Sequence, residues 1–299
     1  MRGGRKMRKY FRNPRAFLVF VLPALLVYVF IVVFPIVRSI MYSFYDWNGV
    51  TEMKFAGISN YKKMLFGDKT FWITVKNNLV YVVINVAMQL GLGMAAALFL
   101  EKVAFGRNFF KTLYFTPAVI SSVAICQVFG KALSVQPMGF IHVFFQNMGM
   151  EFMVKPWVSD VGGALPSVSV IEAYRYVGLY MIIMYSALIS INRDLIEAAM
   201  LDGARGFKLF WYVKFPLIKG VFGVAFVMIV NGTMKGFDIP YILTKGGPAN
   251  RSELVATYMY KNAFNAGKFG YGSAIAVFIA MECLIIFMFL KNAYLKEEE

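Results

Sequence analysis

Two groups of residues in this chain are of types that could do chemistry. The first is the run Glu197-Ala198-Ala199-Met200-Leu201-Asp202-Gly203-Ala204, charged and turn-forming, set between two long apolar stretches. Carboxylates beside small residues and a glycine suit a surface that another protein grips. The second is a scatter of polar side chains within apolar stretches: Asn85, Gln89, Gln127, Tyr185, Asn231, Thr233 and Glu282. Such groups are expensive to place in lipid and mark substrate paths or helix contacts. Asn85 and Gln89 lie four apart, on one face of a helix. Three uses are open to Glu282: binding a substrate, pairing with a lysine, or sitting protonated.

Neither group is a reaction centre. No G-x-x-x-x-G-K-[ST] phosphate loop and no H-E-x-x-H zinc motif occur. His142 is the only histidine, beside Phe144 and Phe145, where it reads as an interfacial side chain rather than a metal ligand. Cys126 and Cys283 lie in apolar stretches and read as small hydrophobes, with no disulfide framework. The chain reads as a non-enzyme holding neither metal nor cofactor.

The surroundings of these residues are built for a bilayer. Of 299 residues, 59% are hydrophobic and only 16% charged, with a mean hydropathy of +0.61. That leaves no water-facing coat for a soluble protein of this size. The net charge of +15 is concentrated partly at the N-terminus, in Arg2, Arg5, Lys6, Arg8, Lys9, Arg12 and Arg15. Without a recognition motif, this charge indicates cytoplasmic retention beside anionic lipid rather than nucleic-acid binding.

Six spans of roughly 20 or more residues can be drawn: 17–42, 73–100, 111–133, 168–191, 216–239 and 271–292. The first continues past Pro23 and Pro35 with no cleavage site, as an uncleaved helix with kinks rather than a signal peptide. The expected organisation is a basic cytoplasmic segment 1–16, one transmembrane domain 17–292 and a tail 293–299. Both termini are then cytoplasmic, as are loops 101–110 and 192–215. Gly91/Ala95 and Gly93/Ala97 are small-residue pairs suited to close helix packing.

Within 192–215, Asp194 is placed to cap a short helix, with Glu197 at capping-box spacing. Ala198 and Ala199 favour the helix and let a partner approach its backbone. Gly203 can end it in a left-handed conformation. A second short helix, 206–214, carries Phe207, Phe210 and Trp211 as one apolar stripe.

The pattern Glu197-Ala198-Ala199-x-x-Asp202-Gly203-Ala204, continued by Phe215-Pro216-Leu217, resembles the cytoplasmic coupling loop of permease subunits from binding-protein-dependent ABC importers. It is similar to the carbohydrate-uptake branch, with its maltose and glycerol-phosphate permeases. Four other stretches share that resemblance: Phe55-Ala56-Gly57-Ile58-Ser59-Asn60-Tyr61, Phe109 to Pro117, Leu243-Thr244-Lys245-Gly246-Gly247-Pro248, and Gly270-Tyr271-Gly272-Ser273-Ala274. One departure is Ile191-Asn192, where the branch usually has Ile-Pro.

The resemblance implies an all-α polytopic membrane protein of type I ABC importer permease architecture, with six transmembrane helices and a coupling helix between spans four and five. Glu197, Ala198, Ala199, Asp202, Gly203 and Ala204 would dock on a separate ATPase subunit. ATP and magnesium would be bound by two such subunits and not by this chain. A second, homologous permease and an extracytoplasmic solute-binding protein would complete the assembly in a bacterial or archaeal cytoplasmic membrane. The cargo implied is a carbohydrate, an oligosaccharide in particular. Two alternatives stay open: the same architecture importing a phosphodiester, polyol or peptide, and a self-sufficient secondary transporter. The latter would show internal repeats, and none is evident between the halves.

Overall fold

The computed structural model describes residues 18–294. The basic N-terminal segment and residues 295–299 lie outside the described residues. The first long helix, α1 (Leu22–Tyr42), buries none of its side chains within the chain. A π-helical turn, Val29–Val33, ends two residues before Pro35. Proline has no N–H to donate and its ring crowds the preceding turn, so the widened turn accommodates it without breaking the helix. The same device recurs at Lys214, where the π-helical turn Phe210–Lys214 leads to Pro216.

A two-residue antiparallel ribbon follows, β1 (Tyr45–Asp46) with β2 (Lys54–Phe55). A short helix, α2 (Ser59–Lys62), leads to α3 (Lys69–Lys102). At 34 residues, α3 is long enough to project beyond the hydrocarbon layer. Asp68 starts it by accepting the Phe71 N–H at 3.1 Å.

The expected third span, 111–133, is two helices. They are α4 (Arg107–Val119) and α5 (Ser122–Ala132), bent by 97° at residues 120–121. Ser121 restarts the helix by accepting the Ala124 N–H at 3.2 Å. Five helices are therefore long and apolar enough to cross a membrane, or six if this bent pair counts as one span. A short helix α6 (Phe140–Asn147) lies in the next loop, followed by α7 (Ala164–Ile189). His142 is buried there rather than interfacial, its Nδ1 3.0 Å from the Ser134 carbonyl oxygen.

The short α8 (Arg193–Leu201) leads into a helical path, Phe207–Leu243, interrupted at residues 235–237. Its main segments are α9 (Phe215–Met234) and α10 (Asp238–Leu243). Then come α11 (Val255–Tyr260) and α12 (Phe269–Tyr294).

The core lies where α3, α7 and α9 pack together, around Met181, Met184, Leu188, Ala225 and Ile229. Of the two small-residue pairs on α3, Gly93/Ala97 faces this contact. A Cβ on Gly93 would sit 3.3 Å from the Met181 backbone nitrogen, and Ala97 is fully buried. Gly91 faces open space. Gly178 lets α7 touch α4 even more closely: a Cβ there would lie 1.8 Å from the Tyr114 carbonyl oxygen.

Several of the motif stretches meet at the end of the bundle opposite α8. Gly270 donates its N–H to the Trp47 carbonyl at 3.1 Å, and Asn60 donates to the carbonyls of Ser43 and Tyr45. A Cβ on Gly270 would reach within 1.9 Å of the Tyr45 oxygen. At Gly246 a Cβ would lie 2.0 Å from Glu253 Oε2, whose carboxylate pairs with Lys261. These glycines let loop backbones and buried charges close over the bundle end.

The candidate coupling surface and polar cavity

The α8 loop is shaped almost entirely by local residues. Asn192, not Asp194, caps the helix, its side-chain oxygen accepting the Asp194 N–H at 3.0 Å. Asp194 sits in the first turn, where its charge suits the positive helix end. The cap is the departing residue of Ile191-Asn192 itself, and asparagine supplies a side-chain acceptor that proline lacks. The expected box between Asp194 and Glu197 therefore does not form, and Glu197 is exposed.

At the other end, Ala204 N–H bonds to the Ala199 carbonyl at 2.9 Å and Gly203 N–H to Met200 at 3.1 Å. Gly203 has φ +86. Together these bonds satisfy the last carbonyls through a left-handed glycine. A Cβ at Gly203 would meet nothing within 4 Å. The requirement for glycine is thus the backbone angle, not space.

No residue of α8 is buried. Leu195, Met200 and Leu201 are exposed alongside Glu197 and Ala198, with Leu201 at 89%. Ala199 and Ala204 are half-buried, while Asp202 and Gly203 are exposed. The loop is anchored from behind by buried Leu209 and by Lys214, which donates to Glu101 on α3 at 2.5 Å. Of the expected aromatic stripe, Phe210 is half-buried, while Phe207 and Trp211 are exposed and pack on one another.

The polar interior is a separate place. Gln89 and Thr233 line one cavity of about 200 Å³ with Glu172, Tyr176, Tyr180 and Gly232. Asn85 supports it from behind: Gln89 donates to Asn85 Oδ1 at 2.8 Å, and Asn85 donates to the Tyr81 carbonyl at 2.9 Å. Thr233 bonds the Ile229 carbonyl at 2.7 Å. Beside the cavity, Arg175 Nη1 donates to Ser122 Oγ at 2.8 Å. Ser122 in turn donates to Asp238 Oδ2 at 2.6 Å, and Arg175 lies 4.0 Å from that same oxygen. Ser122 follows the bend between α4 and α5, and Asp238 follows the interruption after α9. One arginine on α7 thus ties both breaks together.

The other interior candidates do not join this cavity. Asn231 bonds its own helix at the Val227 carbonyl, 3.1 Å away, and Gln127 is exposed on α5. Tyr185 is buried nearer the α8 end, with Lys111 and Arg107 at 4.4 and 6.0 Å from its ring. Glu282 is half-buried on α12, away from the cavity lining. Glu172, Arg175, Tyr176 and Asp238 were absent from the sequence-based candidates. The signal was present, since Glu172 and Arg175 are charges three apart inside an apolar helix.

A larger groove of about 740 Å³ runs between α3, α4 and α7, lined by Leu92, Ala96, Phe99, Tyr114 and Tyr174. Its walls are mainly apolar, so it suits a hydrocarbon chain or another helix better than a polar guest. Among the described residues no His, Cys, Asp and Glu cluster could hold a metal ion.

At the end opposite α8, Tyr258 and Tyr271 donate to Asp68 Oδ2 at 2.7 and 2.5 Å. Burial would raise the Asp68 pKa, but bonds from Tyr271, Tyr258 and the backbone of Phe71 and Thr70 outweigh it and hold the carboxyl lower. Burial, followed by the hydrogen bond to Asp68, pushes Tyr258 up to about 12.

The family model for "Binding-protein-dependent transport system inner membrane component" matches residues 87–296. The chain is 33% identical to the probable ABC transporter permease protein YurN of Bacillus subtilis, over 90% of this chain and 92% of that one. It is 28% identical to AmyD of Thermoanaerobacterium thermosulfurigenes, a probable permease protein of a starch degradation products transport system, over 94% of each chain. The fold matches a chain in the crystal structure of a bacterial alginate ABC transporter in complex with an alginate pentasaccharide-bound periplasmic protein. That match has a TM-score of 0.81 at 19% identity and covers 95% of this chain and 96% of the other. A multi-pass, non-catalytic permease with this fold, the chain belongs to the family of inner membrane components of binding-protein-dependent transport systems.

Proposed function

We propose that this chain is the permease subunit of an ATP-driven importer for a carbohydrate, an oligosaccharide in particular, delivered by an extracytoplasmic binding protein. The likeness to AmyD and to the alginate transporter chain supports the cargo class. The polar cavity at Gln89 and Thr233 supports a path for hydroxyl-rich solutes. A second, homologous permease pairs with the chain, and both termini face the cytoplasm.

The reading of the α8 loop rests on one observation above all. It is a helix capped at both ends, none of whose residues is buried in the chain itself. A rigid helix with exposed leucines and a free carboxylate is suited to a partner's cleft. That partner is a separate ATPase, two copies of which bind ATP and magnesium. Glu197 supplies the charged contact, Ala198 and Ala199 the close fit, and Asp202, Gly203 and Ala204 the fixed turn. ATP binding and delivered cargo must then favour different states of the bundle.

Uptake of a radiolabelled maltotriose by membranes carrying the whole complex tests the assignment. Glu197→Lys and Gly203→Val are each expected to lower uptake by about tenfold or more, with the permease still inserted. Normal uptake and normal recovery of the ATPase in both variants would overturn it.

A further inference from the structure

The cavity between α3, α7 and α9 has an uneven charge inventory. Its lining includes one carboxylate, Glu172, and no lysine or arginine. The neighbouring cation, Arg175, is already turned toward Ser122 and Asp238. Asp238 adds a second carboxylate on that side. Glu172 itself has no hydrogen-bond or ion-pair partner among the described residues, although the rest of the lining offers amide and hydroxyl groups from Gln89, Tyr176 and Thr233.

A carboxylate in such a place favours one kind of guest. It accepts hydrogen bonds from adjacent hydroxyls, which a neutral sugar ring supplies. A ring bearing its own carboxylate would bring a second negative charge into a poorly screened space whose lining holds no lysine or arginine. At about 200 Å³ the cavity is smaller than the ~300 Å³ or more of a drug-sized site. It therefore meets a chain one ring at a time.

Resting on the carbohydrate reading above, we propose that Glu172 is a specificity-determining residue that admits neutral sugar rings and rejects uronate rings. The cargo of this chain then differs in charge from the alginate of the transporter whose fold it shares. Glu172 acts as acceptor for ring hydroxyls, Gln89 and Tyr176 orient the ring, and Arg175 is withheld from the cargo by its bonds to the two helix breaks.

The test uses the complete complex, with its partner permease and ATPases, purified in lipid nanodiscs at pH 8. Saturation-transfer NMR is recorded with maltotriose and, separately, with trigalacturonate. Wild type is expected to bind maltotriose and to show no transfer to trigalacturonate. Glu172→Gln keeps the side-chain shape and removes the charge. It should raise trigalacturonate binding relative to maltotriose by about tenfold or more. Glu172→Asp, which keeps the charge, should retain the rejection. Subunit stoichiometry of each purified variant reports assembly, and Glu172→Asp carries the test should Glu172→Gln fail to assemble. Admission of trigalacturonate by Glu172→Asp, or an unchanged ratio in Glu172→Gln, would overturn the role of Glu172 while leaving the carbohydrate reading intact. Wild type binding neither sugar would overturn both.

Discussion

The α8 loop and the cavity at Glu172 are two polar regions of a mainly apolar bundle, and they are built in opposite ways. The loop is local. Its cap, helix and turn come from residues 192–204, every side chain of α8 is at least partly exposed, and its constraint at Gly203 is a backbone angle. The cavity is non-local. Its walls come from α3, α7 and α9, its polar groups are largely buried, and its geometry depends on how closely the helices approach. A partner can therefore pull on the loop as a rigid body. The cavity changes shape only if helices move against one another.

The sharpest way to break this contrast is to exchange the two kinds of glycine constraint. Gly178→Leu places side-chain atoms where the Tyr114 carbonyl already sits, 1.8 Å from a Cβ. It is expected to cost about 3 kcal/mol or more by overpacking, read as loss of detergent-stable complex on size-exclusion. Gly203→Ala, in open space, should cost only about 1 kcal/mol from the strained angle and leave the complex recoverable. Equal losses in the two variants would erase the distinction.

A smaller effect is expected at Gln89→Leu. Asn85 Oδ1 then loses its donor in a buried site, at a cost of about 1–3 kcal/mol. Maltotriose uptake should fall further than thermal stability, because the cavity also loses a polar wall. Parallel losses would make Gln89 a packing residue. Asn192→Ala removes the α8 cap at about 1 kcal/mol. Faster amide exchange confined to 193–201 would confirm that the loop is locally held, whereas exchange spreading into α7 would contradict it.

The smallest effect lies at Asp68, far from both regions. Its folded pKa is lowered, so its contribution to stability is present above the usual aspartate value of about 3.9. That contribution is lost as pH falls through the lower folded value. Unfolding midpoints measured down an acid series should drop more steeply in wild type than in Asp68→Asn.

This local and non-local divide also explains what could be read from the chain. The Glu197 to Ala204 helix and its glycine stop are written in adjacent residues, so capping rules reach them even though Asn192 and not Asp194 supplies the cap. The apolar helices are legible by length. The 97° bend at 120–121 is not, because 111–133 is apolar on both sides of it and Ser121 and Ser122 are weak punctuation. Gln89 and Thr233 are visible as polar residues in apolar stretches, but their meeting depends on tertiary packing. Glu172 and Arg175 carried the same signal as Glu282, within a stretch whose other features read as ordinary span.

Site-directed crosslinking tests the proposed coupling role of α8 most directly. Both native cysteines, Cys126 and Cys283, are buried, so an introduced cysteine is the accessible thiol among the described residues. Ala198→Cys on α8 and Phe152→Cys on the exposed loop after α6 place that thiol at two different regions of the protein. With a short photoactivatable thiol reagent in membranes holding the whole complex, Ala198→Cys is expected to crosslink to an ATPase subunit and Phe152→Cys is not. Absence of an ATPase adduct at position 198, or an equal yield from position 152, would contradict it.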